Sequence, residues 1–396
     1  MVISKPQSSR NSSWVRFSIG GASALFVGMG LGRFSYTPMI PLLINNSGFS
    51  PAEAGYIGAF NLAGFLLGIL LQPMLQSRFG EQGTLRLCLI TSWLSLLASA
   101  IPLGTPWLFI WLITWRGLIG IAVGTIMVQA LALATRAAPP KKLGLATGIV
   151  FTGVGGGIFL SGILIPFLMV HGLTVTWLGI AGLGGIATAI GLWAYSTEIP
   201  KNIDGTLSTS TCLNFQTRAA ITLVAAQSLF VIGLIPHTIF WVDYLVRGLG
   251  QPISIGGFHW ALFGLGALIG TTLWGCLADR IGFHLGLVLI FTSLSFGLIA
   301  PVLYPVTTVL IASSIIVGAQ PGCSALLSGR VQQIFGPDYM PCVWRRMTLV
   351  GSIGQGVCAY LFVGIFDYTV SYPIVFLLGG AAMASGALIF GITKRT

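Results

Sequence analysis

The stretch Gly275-Cys276-Leu277-Ala278-Asp279-Arg280-Ile281-Gly282 lies between two long apolar runs. An altered copy, Pro73-Met74-Leu75-Gln76-Ser77-Arg78-Phe79-Gly80, lies between two others. Leu, Arg and Gly recur at one offset of 202 residues (277 against 75, 280 against 78, 282 against 80). The same offset pairs Gly48 with Gly250, Gly55 with Gly257, Gly64 with Gly266 and Gly68 with Gly270. One gapless register therefore relates the beginnings of two halves of the chain. A parallel repeat of apolar segments implies a central site where the halves meet.

Composition identifies the solvent of those runs. Of 396 residues, 55% are hydrophobic and 7% charged, against about 25% charged in soluble domains. The expected fold is all-α and polytopic in a lipid bilayer. A crossing needs ~20 mainly apolar residues. Charges and Pro/Gly clusters delimit Arg16 to Ile44, Pro51 to Ser77, two segments between Arg86 and Arg136, and two between Lys142 and Glu198. After a polar stretch come Thr217 to Leu245, Pro252 to Leu277, His284 to Leu303, Val306 to Phe335, Val343 to Phe366 and Tyr372 to Ile392. The expectation is twelve helices in two pseudo-repeated six-helix bundles, 1–195 and 217–396. The polar stretch 196–216, with Lys201, Asp204 and many Ser/Thr, reads as the linker between them.

With both termini in the cytoplasm, sixteen of the nineteen Lys and Arg fall at cytoplasmic ends; Arg33 and Arg116 are intramembrane and Arg247 is outside. The polar start, Met1 to Ser13, leads into an apolar run too long for a signal peptide, so it is expected to be retained. The net charge of +11 is dispersed between apolar runs, which argues against a nucleic-acid surface. Six cysteines without a CxxC pair and four widely separated histidines suggest no disulfide framework, metal site or cofactor.

The loop G-x-L-A-D-R-x-G at Gly275–Gly282 is similar to the signature loop of the major facilitator superfamily. The resemblance implies a cytoplasmic latch between the halves, carried here by Asp279, Arg280 and Gly282, with Arg78 and Gly80 in the first copy and Ser77 in place of its acid. Arg116-x-x-x-Gly120 resembles the family's fourth-helix motif. Gly144, Gly153 and Gly157 resemble its antiporter motif, with Ile158 where a proline is usual. The run G-R-F-x-Y-T-P at 32–38, followed by P-x-E-A-G at 51–55, looks like the bacterial YbfB/YjiJ-type branch. Membership would imply a permease of the bacterial inner membrane, not an enzyme.

Two cations interrupt otherwise apolar segments. Arg33 is about 18 Å from its helix end near Asn45, and Arg116 about 15 Å from Pro106. Such depth is costly for a charge, so each should face a cavity or a partner. Arg116 has two readings, a ligand-binding cation or a packing arginine bonded to carbonyls of the first segment. Tyr36, Asn61, His237 and His259 complete the candidate binding set; either histidine can equally be a satisfied core residue. Glu53 fits a capping box with Ser50, Asp243 and Arg247 fit an i,i+4 pair, and Asp367 fits a solvated boundary. GxxxG pairs at 28/32, 64/68, 120/124, 153/157, 266/270 and 318/322 read as helix contacts, and the tryptophans as interfacial anchors and packing.

No Asp or Glu falls in the predicted mid-membrane zone, where two arginines do. The expected function is a monomeric secondary transporter of a small organic anion or amphipathic solute. It would work by alternating access, with protons as a coupling partner and efflux as the direction. The alternatives are a uniporter and a non-transporting ligand sensor.

Overall fold

In hydrocarbon a backbone must satisfy its own hydrogen bonds, which leaves apolar runs of this length the choice of helix. The computed structural model describes residues 7–139, 142–196, 218–336 and 339–392. Among these residues, eleven helices are long and apolar enough to cross a membrane. They are α1 (Trp14–Ser47), α2 (Pro51–Ala98), α3 (Pro106–Ala137), α4 (Leu143–Met169), α5 (Leu173–Ala194), α6 (Arg218–Gly248), α7 (Ile253–Ile281), α8 (Phe283–Leu303), α9 (Thr307–Phe335), α10 (Val343–Thr369) and α11 (Tyr372–Ile392). The expected linker lies, apart from Ser196, outside the described residues, as do the terminal residues carrying Lys5, Lys394 and Arg395.

The count differs from the twelve expected because α2 runs on for 48 residues, about 72 Å against a ~30 Å hydrocarbon core. Gly80 (φ 69°, ψ 170°) interrupts it without a loop. Gly282, its partner in the repeat register, has nearly the same geometry (φ 88°, ψ 151°) and separates α7 from α8. Gly48 (φ 70°) and Gly250 (φ 68°), also paired at that offset, share the left-handed conformation too. The repeat is thus visible in the backbone at its two joints.

Helix packing follows the small residues. A Cβ at Gly68 would stand 2.1 Å from the Ile121 carbonyl oxygen, and one at Gly124 2.2 Å from that of Phe65, so α2 and α3 meet backbone to backbone. Gly266 and Gly318 bring α7 against α9 in the same way. Helices α1–α5 pack mainly on one another, as do α6–α11. The two sets meet where α4 lies on α7, with Gly264 against the Phe159 backbone, and where α2 meets α10 through the stacked rings of Tyr56 and Tyr360, 5.8 Å apart. Trp107 and Trp193 are exposed, whereas Trp177, Trp241 and Trp260 are fully buried; these last three pack the core instead of anchoring at an interface.

Candidate functional site

The site begins with a defect in α1. From Phe26 to Arg33 the helix opens into wide π turns, and an ordinary helix resumes at Tyr36. Three glycines in eight residues weaken the α form there. Pro38 has no N–H to offer, and its ring crowds the carbonyl four residues back, at Phe34. The Phe34 amide instead reaches back five residues to the Met29 carbonyl, 3.1 Å.

Arg116 of α3 fills the breach. Its Nη1 donates to the Gly32 carbonyl and its Nη2 to that of Arg33, the latter at 3.1 Å. Its guanidinium carbon lies 4.6 Å from the centroid of the Tyr36 ring. Asn61 Nδ2 donates to the Arg116 backbone oxygen, 2.9 Å, and the Tyr36 hydroxyl donates to the Ala54 carbonyl, 2.8 Å. Arg116 is therefore held by carbonyls of the first helix, as its packing reading expects. Thr37 Oγ1 donates to the Thr238 carbonyl, tying α1 to α6, and Phe34 meets Trp260 and Phe263 of α7.

Arg33, three residues upstream of Tyr36 where the helix resumes, is treated differently. Its guanidinium carbon sits 5.4 Å from the ring centroids of both Phe34 and Phe65. It has no hydrogen-bond or ion-pair partner among the described residues. It lines a cavity together with Tyr36 and Thr37 of α1, Asn61 of α2, Arg116 of α3, and Thr238 and Ile239 of α6. The space between its walls, about 320 Å³, opens in part to solvent. No acid lines it. Among the described residues Glu53 closes the capping box with Ser50 (2.8 and 3.1 Å), Glu81 pairs with Arg136 and Asp243 with Arg247 at 2.7 Å. Asp279 and Asp367 are exposed.

Arg33, Tyr36, Asn61 and Arg116 thus come together, and the two histidines do not join them. His237 turns away from the cavity that its neighbours Thr238 and Ile239 line. It lies flat on Trp241 (4.3 Å, 14°) with Nε2 3.1 Å from Ser313 Oγ. Ser313 spends its proton on the Gly297 carbonyl, 2.6 Å, so His237 is the donor to it. His259 Nδ1 lies 2.9 Å from Ser314 Oγ, which also accepts from Trp241 Nε1 at 3.2 Å. The adjacent serines Ser313 and Ser314, which organise this network, were signalled in the sequence only as a polar pair inside an apolar run.

The loop residues Arg78, Gly80, Asp279, Arg280 and Gly282 are exposed, and neither Asp279 nor Arg280 makes an ion pair among the described residues. The charge contact found near the first copy is Glu81 with Arg136, a pair not anticipated from the loop. Gly153 and Gly157 press on the backbone of α1 at Ala22 and Gly30.

A bundle of apolar helices around a cavity lined by two arginines is the architecture of a multi-pass membrane protein of the transporter type. A family model described as "Uncharacterised MFS-type transporter YbfB" matches residues 25–391, and the chain belongs to this family of the major facilitator superfamily. It is 26% identical over 236 residues to the 3-(3-hydroxy-phenyl)propionate transporter of Escherichia coli strain K12; the match covers 58% of this chain and 56% of that relative's length. Its fold resembles that of a D-xylose-proton symporter (TM-score 0.73, 15% identity, 95% and 96% of the two chains). It also resembles the partially occluded inward-open form of the xylose transporter XylE from E. coli (TM-score 0.75, 14% identity, 98% and 99%).

Proposed function

We propose that this protein is a secondary transporter that moves a small organic anion with an apolar body by alternating access. The observation that carries the reading is Arg33, a cation in a cavity between helices of both sets with no described carboxylate beside it. A cation at this depth without a partner is costly, and a bound carboxylate would offset that cost. Phe34, Tyr36 and Ile40 supply apolar wall. The E. coli relative is named for an aryl carboxylate, which agrees with this ligand class.

The cycle we assign is a rocking of two six-helix halves, 1–195 and 217–396, about the cavity, with 196–216 as their connection. In this arrangement α2 counts as two crossings joined at Gly80, giving twelve, and both termini are cytoplasmic in a bacterial inner membrane. The distribution of Lys and Arg supports that orientation. A coupling proton would travel on the ligand's own acid group, since no described carboxylate borders the cavity and His237 is turned away from it. The test is uptake of radiolabelled aryl carboxylates into proteoliposomes, with wild type and Arg33→Ala compared. Loss of uptake in the variant supports the reading. Transport of a simple organic cation at equal rates by both proteins would refute it.

A further inference from the structure

We infer that the ligand of this cavity carries a hydrogen-bond donor, such as a hydroxyl, in addition to its negative charge, and that Asn61 reads that donor. The inference rests on the anion reading above and narrows it.

Asn61 is 1% exposed and lines the cavity. Its Nδ2 is committed to the Arg116 backbone oxygen, and this bond fixes which end of the amide is which. Oδ1 is then an acceptor with nothing to accept from: it is buried and has no partner among the described residues. Arg116, 2% exposed, gives Nη1 and Nη2 to carbonyls of α1, while its Nε–H is buried and finds no acceptor. Two neighbouring cavity-lining side chains therefore leave one unmet acceptor and one unmet donor. Buried polar atoms are nearly always satisfied, and an exception calls for an occupant.

The complement of this wall is specific. A carboxylate can accept from Arg33 and from Arg116 Nε–H, while a hydroxyl or N–H on the same molecule donates to Asn61 Oδ1. Neither atom is open to water in this conformation, so the wall has to part before a ligand can reach them. A plain aryl carboxylate meets the cations and leaves Oδ1 bare. A hydroxylated one meets both. Sites that pair a substrate hydroxyl discriminate strongly against the analogue without it, because the buried partner is then stranded.

The experiment uses the full chain, purified in detergent, and titrates 3-phenylpropionate, its 2-, 3- and 4-hydroxyphenyl analogues and 3-phenyllactate by calorimetry. At least one hydroxylated acid is expected to bind wild type tenfold or more tightly than 3-phenylpropionate. In Asn61→Leu, or in Asn61→Ala should leucine not be accommodated, that preference falls below twofold. If all five acids bind wild type within twofold of one another, the donor inference is overturned and the anion reading stands. If a preference survives the loss of Asn61, its assignment to Asn61 is overturned. If none of the five binds to folded wild type, the anion reading fails and the inference fails with it. The wild-type comparison decides the donor question without any variant.

Discussion

Replacing Arg33 by methionine should make the empty protein more stable and deaf to carboxylates. An arginine near mid-membrane costs about 2.5–3.5 kcal/mol on insertion scales. The flanking rings of Phe34 and Phe65, each 5.4 Å away, return about 0.5–1 kcal/mol apiece as cation–π contacts. No hydrogen bond or carboxylate adds to that return among the described residues, and Arg116 shares the same cavity with the same charge. The balance leaves about 0.5–2.5 kcal/mol to be gained by an apolar side chain of similar length. Methionine is flexible enough to fill the space. A gain of that size corresponds to a rise of roughly 1–10 °C in the unfolding midpoint, by the scaling seen in domains of comparable half-size. The assay is thermal unfolding of wild type, Arg33→Met and Arg33→Lys, with and without an aryl carboxylate. Wild type should gain stability with ligand, Arg33→Met should start higher and gain nothing, and lysine should keep part of the response. A lower midpoint for Arg33→Met together with an intact ligand response would refute the reasoning, since Arg33 would then have a structural partner and no role in recognition.

Gly68→Ala should lower stability by about 1–3 kcal/mol, as overpacking does. Its Cβ meets the Ile121 carbonyl at 2.1 Å, whereas Gly144→Ala, with nothing within 4 Å, should not lower it; thermal unfolding of the two separates them. Tyr372→Phe removes a 2.6 Å bond to the 2%-exposed Asp243 and a 3.2 Å bond from Arg247, and should cost about 1.5–3 kcal/mol, the range for bonds to charged groups, read by chemical denaturation. Uptake into proteoliposomes should respond to an imposed pH gradient; an unchanged rate would identify a uniporter. Single cysteines from Ser77→Cys and Asp367→Cys in a background without native cysteines should label from opposite faces of the membrane, Ser77 from the cytoplasm.

Much of the framework was legible in residue identity. The 202-residue register reappears as matched left-handed glycines, and four of the GxxxG pairs (64/68, 120/124, 153/157 and 266/270) sit where backbones touch, whereas Gly28 and Gly32 meet side chains. The Ser50–Glu53 spacing is a capping box, and the Asp243–Arg247 spacing is an ion pair. These are local or small-residue signals, which a chain carries openly. Orientation around a helix axis was much less legible. In a soluble helix a polar stripe marks the outward face, but lipid and core are both apolar, so α6 gives no asymmetry from which to place His237. The π turns of α1 add a second obstacle: Tyr36 is one nominal turn after Arg33, yet its ring meets Arg116. The joint at Gly80, which fuses two expected segments into α2, was legible as a matched glycine but not as a continuous coil.

The wide turns of Phe26–Arg33 amount to a dislocation, one surplus residue held in a coil that would otherwise close on 3.6 per turn. A dislocation can migrate. Each step hands the surplus to the next residue and swings the one it leaves by about 100° around the axis, while the ladder trades one bond for another. Arg116 grips the carbonyls at the downstream lip of this defect, as a pawl grips a wheel. A ligand that drew Arg116 toward itself would lift the pawl. Arg33 would then be turned between the two sets of helices by a slip within α1 itself, so the helix need not tilt as a rigid rod for its cation to change the side it faces.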